Sequence, residues 1–194
     1  MGLREDKREA AWHAIRDAAW GLFDERGYDA VSVEEVAESA GVSRTTFFNY
    51  FGAKEGVVLD PSPGEVRRLA DLTAEQGPDV APWPALTTVL LGLTRAAPDE
   101  LARRRSLTVD RADLAHRGRD LADELGGALR EWMLTRLPDD PLGACLVVDV
   151  ALGAVGTAWA AWPRDAPAST YVDLLETCLD RAAPGWAQTG YPGS

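Results

Sequence analysis

No proline occurs in the first sixty residues; all twelve lie from Pro61 onward. Proline removes a helical hydrogen bond and clashes with the preceding turn, so helices end where prolines fall. Pro61, Pro63, Pro78, Pro82, Pro84, Pro98, Pro138, Pro141, Pro163, Pro167 and Pro184 separate apolar runs, which marks them as helix boundaries. The first sixty residues are punctuated only by glycine. All four phenylalanines, at positions 23, 47, 48 and 51, sit there too. No stretch alternates apolar and polar residues long enough to form a strand. The chain therefore reads as all-α, with two differently composed cores.

In the first part, Trp12, Ile15, Ala19, Leu22 and Phe23 recur at steps of three and four, the spacing of one helical face. That helix covers about residues 6–26 and stops at Gly27, a left-handed cap. Ser32-Val33-Glu34-Glu35 is a capping box, in which the serine hydroxyl and the Glu35 carboxylate satisfy free amides of the first turn. The helix it starts turns Val33, Val36, Ala37 and Ala40 inward and ends at Gly41. Val42 is a buried link, and Ser43 caps a third short helix over 44–51. Lys54 opens a fourth. Beyond Pro63 the pattern predicts helices at about 64–75, 84–97, 99–115, 118–137, 141–162 and 168–183. The tail 184–194 is expected to be loose.

Two short helices joined by a glycine turn form a helix-turn-helix, whose second helix enters the DNA major groove. Here Gly41 supplies the positive φ of the turn. Phe47 and Phe51 are four residues apart and face the core, which leaves Arg44, Thr45, Phe48 and Asn49 on another side. Arg44 can reach a guanine edge with two parallel hydrogen bonds. Thr45 offers a methyl to thymine, and Asn49 matches adenine. Ser43, Thr46, Tyr50 and Lys54 can bond phosphates, which positions the helix without reading sequence.

The run from Val33 through Phe51, with Lys54-Glu55 behind it, closely resembles the DNA-binding signature of TetR/AcrR-type repressors. The detailed match spans about residues 10–59; beyond it, agreement is in length and helical rhythm only. The resemblance implies nine or ten helices. It implies an N-terminal helix-turn-helix DNA-binding domain over 1–60, with its motif at about 32–51. It also implies a C-terminal helical bundle over 61–194 for effector binding and dimerisation. The homodimer would form mainly through the last two helices, with Val150, Gly153, Ala154, Thr157, Leu175 and Leu179 as interface candidates. The partners implied are pseudo-palindromic double-stranded operator DNA, a second copy of the chain, and a small hydrophobic or acyl-CoA-like effector. The fourth helix would join the reader to the effector pocket. The sequence departs from the family where many members carry a tyrosine whose hydroxyl touches phosphate: Phe48 stands there. Gly52-Ala53 also replaces a more polar link.

Charge weighs against indiscriminate binding of nucleic acid. The net charge is -11, and phosphate affinity needs clustered Lys and Arg. Residues 39–54, however, hold Arg44 and Lys54 and no acid. A protein of this kind is expected to bind random DNA poorly and to depend on its cognate site.

The N-terminus shows no secretory h-region, and Cys145 and Cys178 fit a reduced cytoplasmic protein. His13 and His116 are far apart and no cysteines have ligand spacing, so neither metal nor other cofactor is expected. The apolar stretch 142–162 approaches the length of a membrane span. Asp149 in its middle would cost about 2.5–3.5 kcal/mol there, so the reading is a helix buried by protein and no membrane partner. Asp149 itself is either a paired charge or a pocket polar group. Trp83 and Trp132, with Trp159 and Trp162, either line an effector pocket or fill core and interface. The arginines at 103–105, 111, 117 and 119 either meet an anionic effector or belong to a solvated, ion-paired face. No phosphate loop, Ser-His-Asp set or His-Glu metal motif occurs, so a regulator rather than an enzyme is expected. A purely structural helical dimer is the remaining alternative.

Overall fold

The structure is a computed structural model that describes residues 3–109 and 111–183; the tail expected to be loose lies outside them. Among the described residues there are helices and no strand: α1 (Leu3–Arg26), α2 (Val33–Ser39), α3 (Arg44–Phe51), α4 (Lys54–Leu59), α5 (Pro63–Ala74), α6 (Pro82–Ala96), α7 (Pro98–Thr108), α8 (Ala112–Arg136), α9 (Pro141–Ala161) and α10 (Ala168–Ala182). One 3-10 turn, Tyr28–Ala30, follows α1.

The chain separates into two compact units, the described parts of Met1–Val66 with Leu107–Leu121, and of Arg67–Ser106 with Ala122–Ser194. The sequence reading put everything after residue 60 in the second domain. Leu107–Leu121 belongs instead with the first unit, because Leu114 is fully buried in the first core. For the same reason the expected helix break at 116–117 is absent. The break lies between Thr108 and Ala112, and α8 runs through Gly118. A glycine inside a helix costs about 1 kcal/mol against alanine, less than the roughly 1.5–3 kcal/mol from burying a leucine.

In the first unit, Trp12, Ile15, Ala19 and Phe23 of α1 are buried as their spacing demands, joined by Trp20, with Leu22 half-buried against them. Val36 and Ala37 from α2, Phe47 and Phe51 from α3, and Val57 and Val58 from α4 complete this core. The Ser32 capping box forms: Glu35 N–H donates to the Ser32 hydroxyl and Ser32 N–H donates to the Glu35 carboxylate at 2.8 Å. That backbone bond, the Ser32 hydroxyl and Arg26 at 2.9 Å hold the Glu35 carboxyl down at about 2, from its ordinary 4.5.

Arg16 is almost wholly buried, yet it donates to the carbonyls of Val58 at 3.2 Å and Asp60 at 3.4 Å. Arg117 donates to the Asp60 carboxylate through two nitrogens, at 2.9 and 2.7 Å. The end of α4 is thus tied from α1 and from α8. Pro61 and Pro63 stop α4 after six residues, and Ser62 with Glu65 caps α5 by a second reciprocal pair.

The second unit is built on α5, α6, α8, α9 and α10. Its core contains Leu72, Leu86, Val89, Leu129, Met133, Val147, Val148, Ala151, Tyr171, Leu175 and Leu179. α8 and α9 approach closely at Gly126, where a β-carbon would stand 2.9 Å from a methyl of Leu152.

Leu114→Ala should cost about 2–5 kcal/mol. Hydrogen exchange should show the loss in amides of α1, α3 and α4; lost protection confined to 122–136 would contradict the division into units. The carboxyl of Glu35 sits below its unfolded value, so its stabilisation is complete above about pH 4.5 and is lost as pH falls toward 2. Glu35→Gln should therefore flatten the acid-side decline of the first unit's unfolding midpoint, measured by thermal melts between those pH values.

Candidate nucleic-acid interface

The α3 helix is placed by a tight turn that the sequence makes in only one way. α2 ends at Ser39 with Ala40 as its C-cap, Gly41 takes φ +66°, and the amides of Gly41 and Val42 return to the carbonyls of Glu38 and Ala37 at 3.0 and 2.9 Å. A side chain at Gly41 would be strained in that left-handed conformation. Ser43 then caps α3, its hydroxyl accepting from Thr46 N–H at 3.0 Å and meeting the Thr46 hydroxyl at 2.8 Å.

Two of the three phenylalanines in α3 fix its roll. Phe47 and Phe51 are buried, their ring centroids 5.7 Å apart, and Phe51 stacks 5.3 Å from Trp12 of α1. What remains outward is the set expected from the sequence. Ser43, Arg44, Thr45 and Asn49 are exposed, Phe48 is 37% exposed, and Thr46 and Tyr50 are half-buried. Arg44 stands 5.2 Å over the Phe48 ring.

Lys54 does not join them. Its ammonium donates to the Tyr28 carbonyl at 2.5 Å and lies 4.0 Å from the centre of the Tyr28 ring. Burial lowers its affinity for a proton. Arg111 stands on the same ring, 5.2 Å away, and pairs with Asp29 at 2.8 Å. A lysine expected to hold phosphate thus ties the 3-10 turn to the start of α4. Burial also pushes the Tyr28 hydroxyl up.

One contact at this surface lay outside the sequence reading: Glu34 of α2 pairs with Arg44, Oε1 to Nε, at 2.7 Å. The acid-free window of 39–54 therefore has an acid beside its principal cation. The ten-residue separation hides that neighbourhood in the sequence; only the turn geometry brings them together.

In the second unit the expected effector residues both belong to the hydrophobic core cluster, Trp83 within it and Trp132 packed against it. Trp83 is 8% exposed within the core, and Trp132 is half-buried with Arg136 5.4 Å over its ring. Arg136 also donates to the carbonyls of Gln76, Gly77 and Val80. The arginine alternatives resolve toward ion pairs and caps. Arg104 meets Glu100 at 2.7 Å, and Arg105 donates to the Trp162 carbonyl at 2.8 Å while stacking on Trp159. Asp149 is half-exposed and paired with Arg130 at 2.6 Å.

Among the expected interface residues, Leu175 and Leu179 correct the sequence reading. They are 0% and 1% exposed, because the apolar stripe of α10 points into its own core and has no area left for a partner. Ala154 is buried as well, Val150 is half-buried, and Gly153 and Thr157 are exposed.

The family model for the bacterial regulatory proteins of the tetR family matches residues 15–60. An uncharacterized HTH-type transcriptional regulator of Mycobacterium tuberculosis is 30% identical over 143 residues, covering 72% of this chain and 69% of that protein. The HTH-type transcriptional repressor AcnR of Corynebacterium glutamicum is 32% identical over 72 residues, 37% of this chain and 38% of its own length. For three other curated relatives the chain spans 26%, 24% and 50% of their length. The solved structure of FadR from Thermus thermophilus, a TetR-family repressor in complex with lauroyl-CoA, has the same fold. Its TM-score is 0.53 at 24% identity, over 94% of this chain and 98% of that one. The helix-turn-helix geometry, the matched segment and the M. tuberculosis relative agree: the chain belongs to the TetR family of bacterial transcriptional regulators.

Proposed function

We propose that the chain is a homodimeric repressor that reads pseudo-palindromic operator DNA with α3 and releases it when a small effector binds the second unit. The observation that carries the reading is the division of α3. Phe47 and Phe51 anchor one face, and Arg44, Thr45, Phe48 and Asn49 are exposed on another. Those outward groups supply a guanidinium for guanine, a methyl for thymine and an amide for adenine. Ser43, Thr46 and Tyr50 flank them with hydroxyls for phosphate. In the dimer the two α3 helices stand about 34–36 Å apart, in successive major grooves.

The dimer forms through the outer face of α9. Leu142, Leu146, Asp149, Gly153, Gly156 and Ala160 are all exposed on this helix, at alternating steps of four and three that make one seam, with Thr157 beside it. Leu142 is 77% exposed and Leu146 50%. α9 is also long and apolar enough to cross a membrane. The charged Asp149–Arg130 pair within the seam disfavours lipid as its cover, and the protein is read as cytoplasmic.

The effector is a small hydrophobic or acyl-CoA-like molecule. The T. thermophilus FadR structure with lauroyl-CoA supports that class through its shared fold. The effector acts only through its preference for the state that does not fit DNA.

The direct test is fluorescence anisotropy on DNA upstream of the protein's own gene, with scrambled competitor. Wild type should bind selectively, and lauroyl-CoA should release it. Arg44→Ala should lose about 1–3 kcal/mol of discrimination; an unchanged ratio of specific to scrambled binding would remove Arg44 from the reading set. Leu146→Glu, which places a charge in the α9 seam, should convert dimer to monomer in sedimentation, and a persistent dimer would move the interface elsewhere.

A further inference from the structure

We propose that Glu34 is a positioning residue for base readout: it holds the Arg44 guanidinium by one edge, over Phe48, so that the other edge is presented to the groove. The inference rests on the reading of α3 as the DNA-contacting helix.

Three observations carry it. The contact is made through Nε of Arg44, at 2.7 Å from the Glu34 carboxylate. A guanidinium gripped at Nε keeps both terminal nitrogens available, and these form the fork that meets the O6 and N7 of guanine. Secondly, the guanidinium carbon stands 5.2 Å from the centre of the Phe48 ring, within the range of a cation–π contact. A carboxylate at one edge and a ring on one face together restrict a side chain that otherwise has many rotamers. Ordering it before DNA arrives lowers the entropic cost of binding.

Thirdly, both members of the ion pair are exposed, at 65% and 59%. Such pairs contribute little to folding, so the arrangement is not explained by stability. Its position is what distinguishes it. The carboxylate belongs to the first turn of α2 and reaches the first residue of α3 across the Gly41 turn, so one side chain links the two halves of the motif at the groove-facing end. Its negative charge also repels phosphates that Arg44 would otherwise grip indiscriminately. Phe48 adds no hydroxyl for phosphate, so the pair directs Arg44 toward bases rather than backbone.

Positioning and charge are separable by substitution. Glu34→Gln keeps an oxygen that can accept from Nε and loses the charge; Glu34→Ala loses both. The experiment is selection of full-length dimeric protein, wild type and both variants, on a random-sequence duplex library. Scrambled-duplex affinity is measured in parallel, and thermal melts confirm that each variant is folded.

Wild type should enrich guanine at one column that Arg44→Ala flattens. Glu34→Ala should weaken that guanine preference about tenfold, and Glu34→Gln should retain most of it. Both variants should bind the scrambled duplex more tightly than wild type. If Glu34→Ala leaves the guanine column intact while both variants gain affinity for every sequence alike, Glu34 is only a repulsive charge and the proposal falls. A wild-type selection that enriches no sequence at all would overturn the assignment of α3 as reader, and this inference with it.

Discussion

Eight residues of helix do not persist in water on local propensity, so α3 depends on the burial of Phe47 and Phe51. Their rings sit in a cluster with Trp12, and Phe47 is completely enclosed. Each contributes roughly 1.5–3 kcal/mol by leaving water. That burial sets the roll of the helix about its axis, and the roll decides which side chains face outward. Function and stability at this site are therefore two faces of one element. The Gly41 turn and the Ser43 cap set the angle at which α3 leaves α2; the aromatic pair sets everything else.

The charged groups of the first unit extend that frame. Arg16 lies almost wholly inside the unit and finds the carbonyls of Val58 and Asp60. Arg117 takes the Asp60 carboxylate. Lys54 and Arg111 both stand on the Tyr28 ring. A buried charge without a partner costs several kcal/mol, and here the partners are at the ends of α1 and α4. The short helices of the reader are pinned where they would otherwise fray. Burial of the Lys54 ammonium against Tyr28 therefore serves the frame, and the polar groups left outward on α3 carry the readout.

The local patterns in the sequence were legible because they are local physics. The capping box at Ser32, the glycine turn, the Ser43 cap and the face of α1 each follow from spacing within a few residues. The break between α7 and α8 was not, because Gly118 is a stronger local signal than anything at 109–111, and only the burial of Leu114 overrides it. The neighbours of Lys54 were hidden for a similar reason. Its position suits phosphate, yet Tyr28, twenty-six residues earlier, supplies a carbonyl and a ring that the chain brings alongside. The pairing of Glu34 with Arg44 is likewise invisible until the turn is built. At the C-terminal end, α9 is apolar enough on every side that periodicity alone could not say which stripe faces inward.

That last ambiguity has a physical resolution in the structure. α10 is amphipathic: Tyr171, Leu175 and Leu179 go inward while Ser169, Asp173, Thr177 and Asp180 remain in water. α9 is not. Its inner face packs Ala144, Val147, Val148, Ala151, Ala154 and Ala158 against the core, yet its outer face still carries Leu142, Leu146, Gly153, Gly156 and Ala160. A helix apolar on both sides is ordinarily covered on both. On the proposed reading a second copy covers it. Gly153 and Gly156 would let the two helices approach closely, and Leu142 and Leu146 would supply the area. Asp149, the one charge on α9, lies within this surface and is held by Arg130 of α8. A bilayer offers that charge pair neither water nor hydrogen-bonding groups, whereas a protein interface can hold bridging water and polar groups against it.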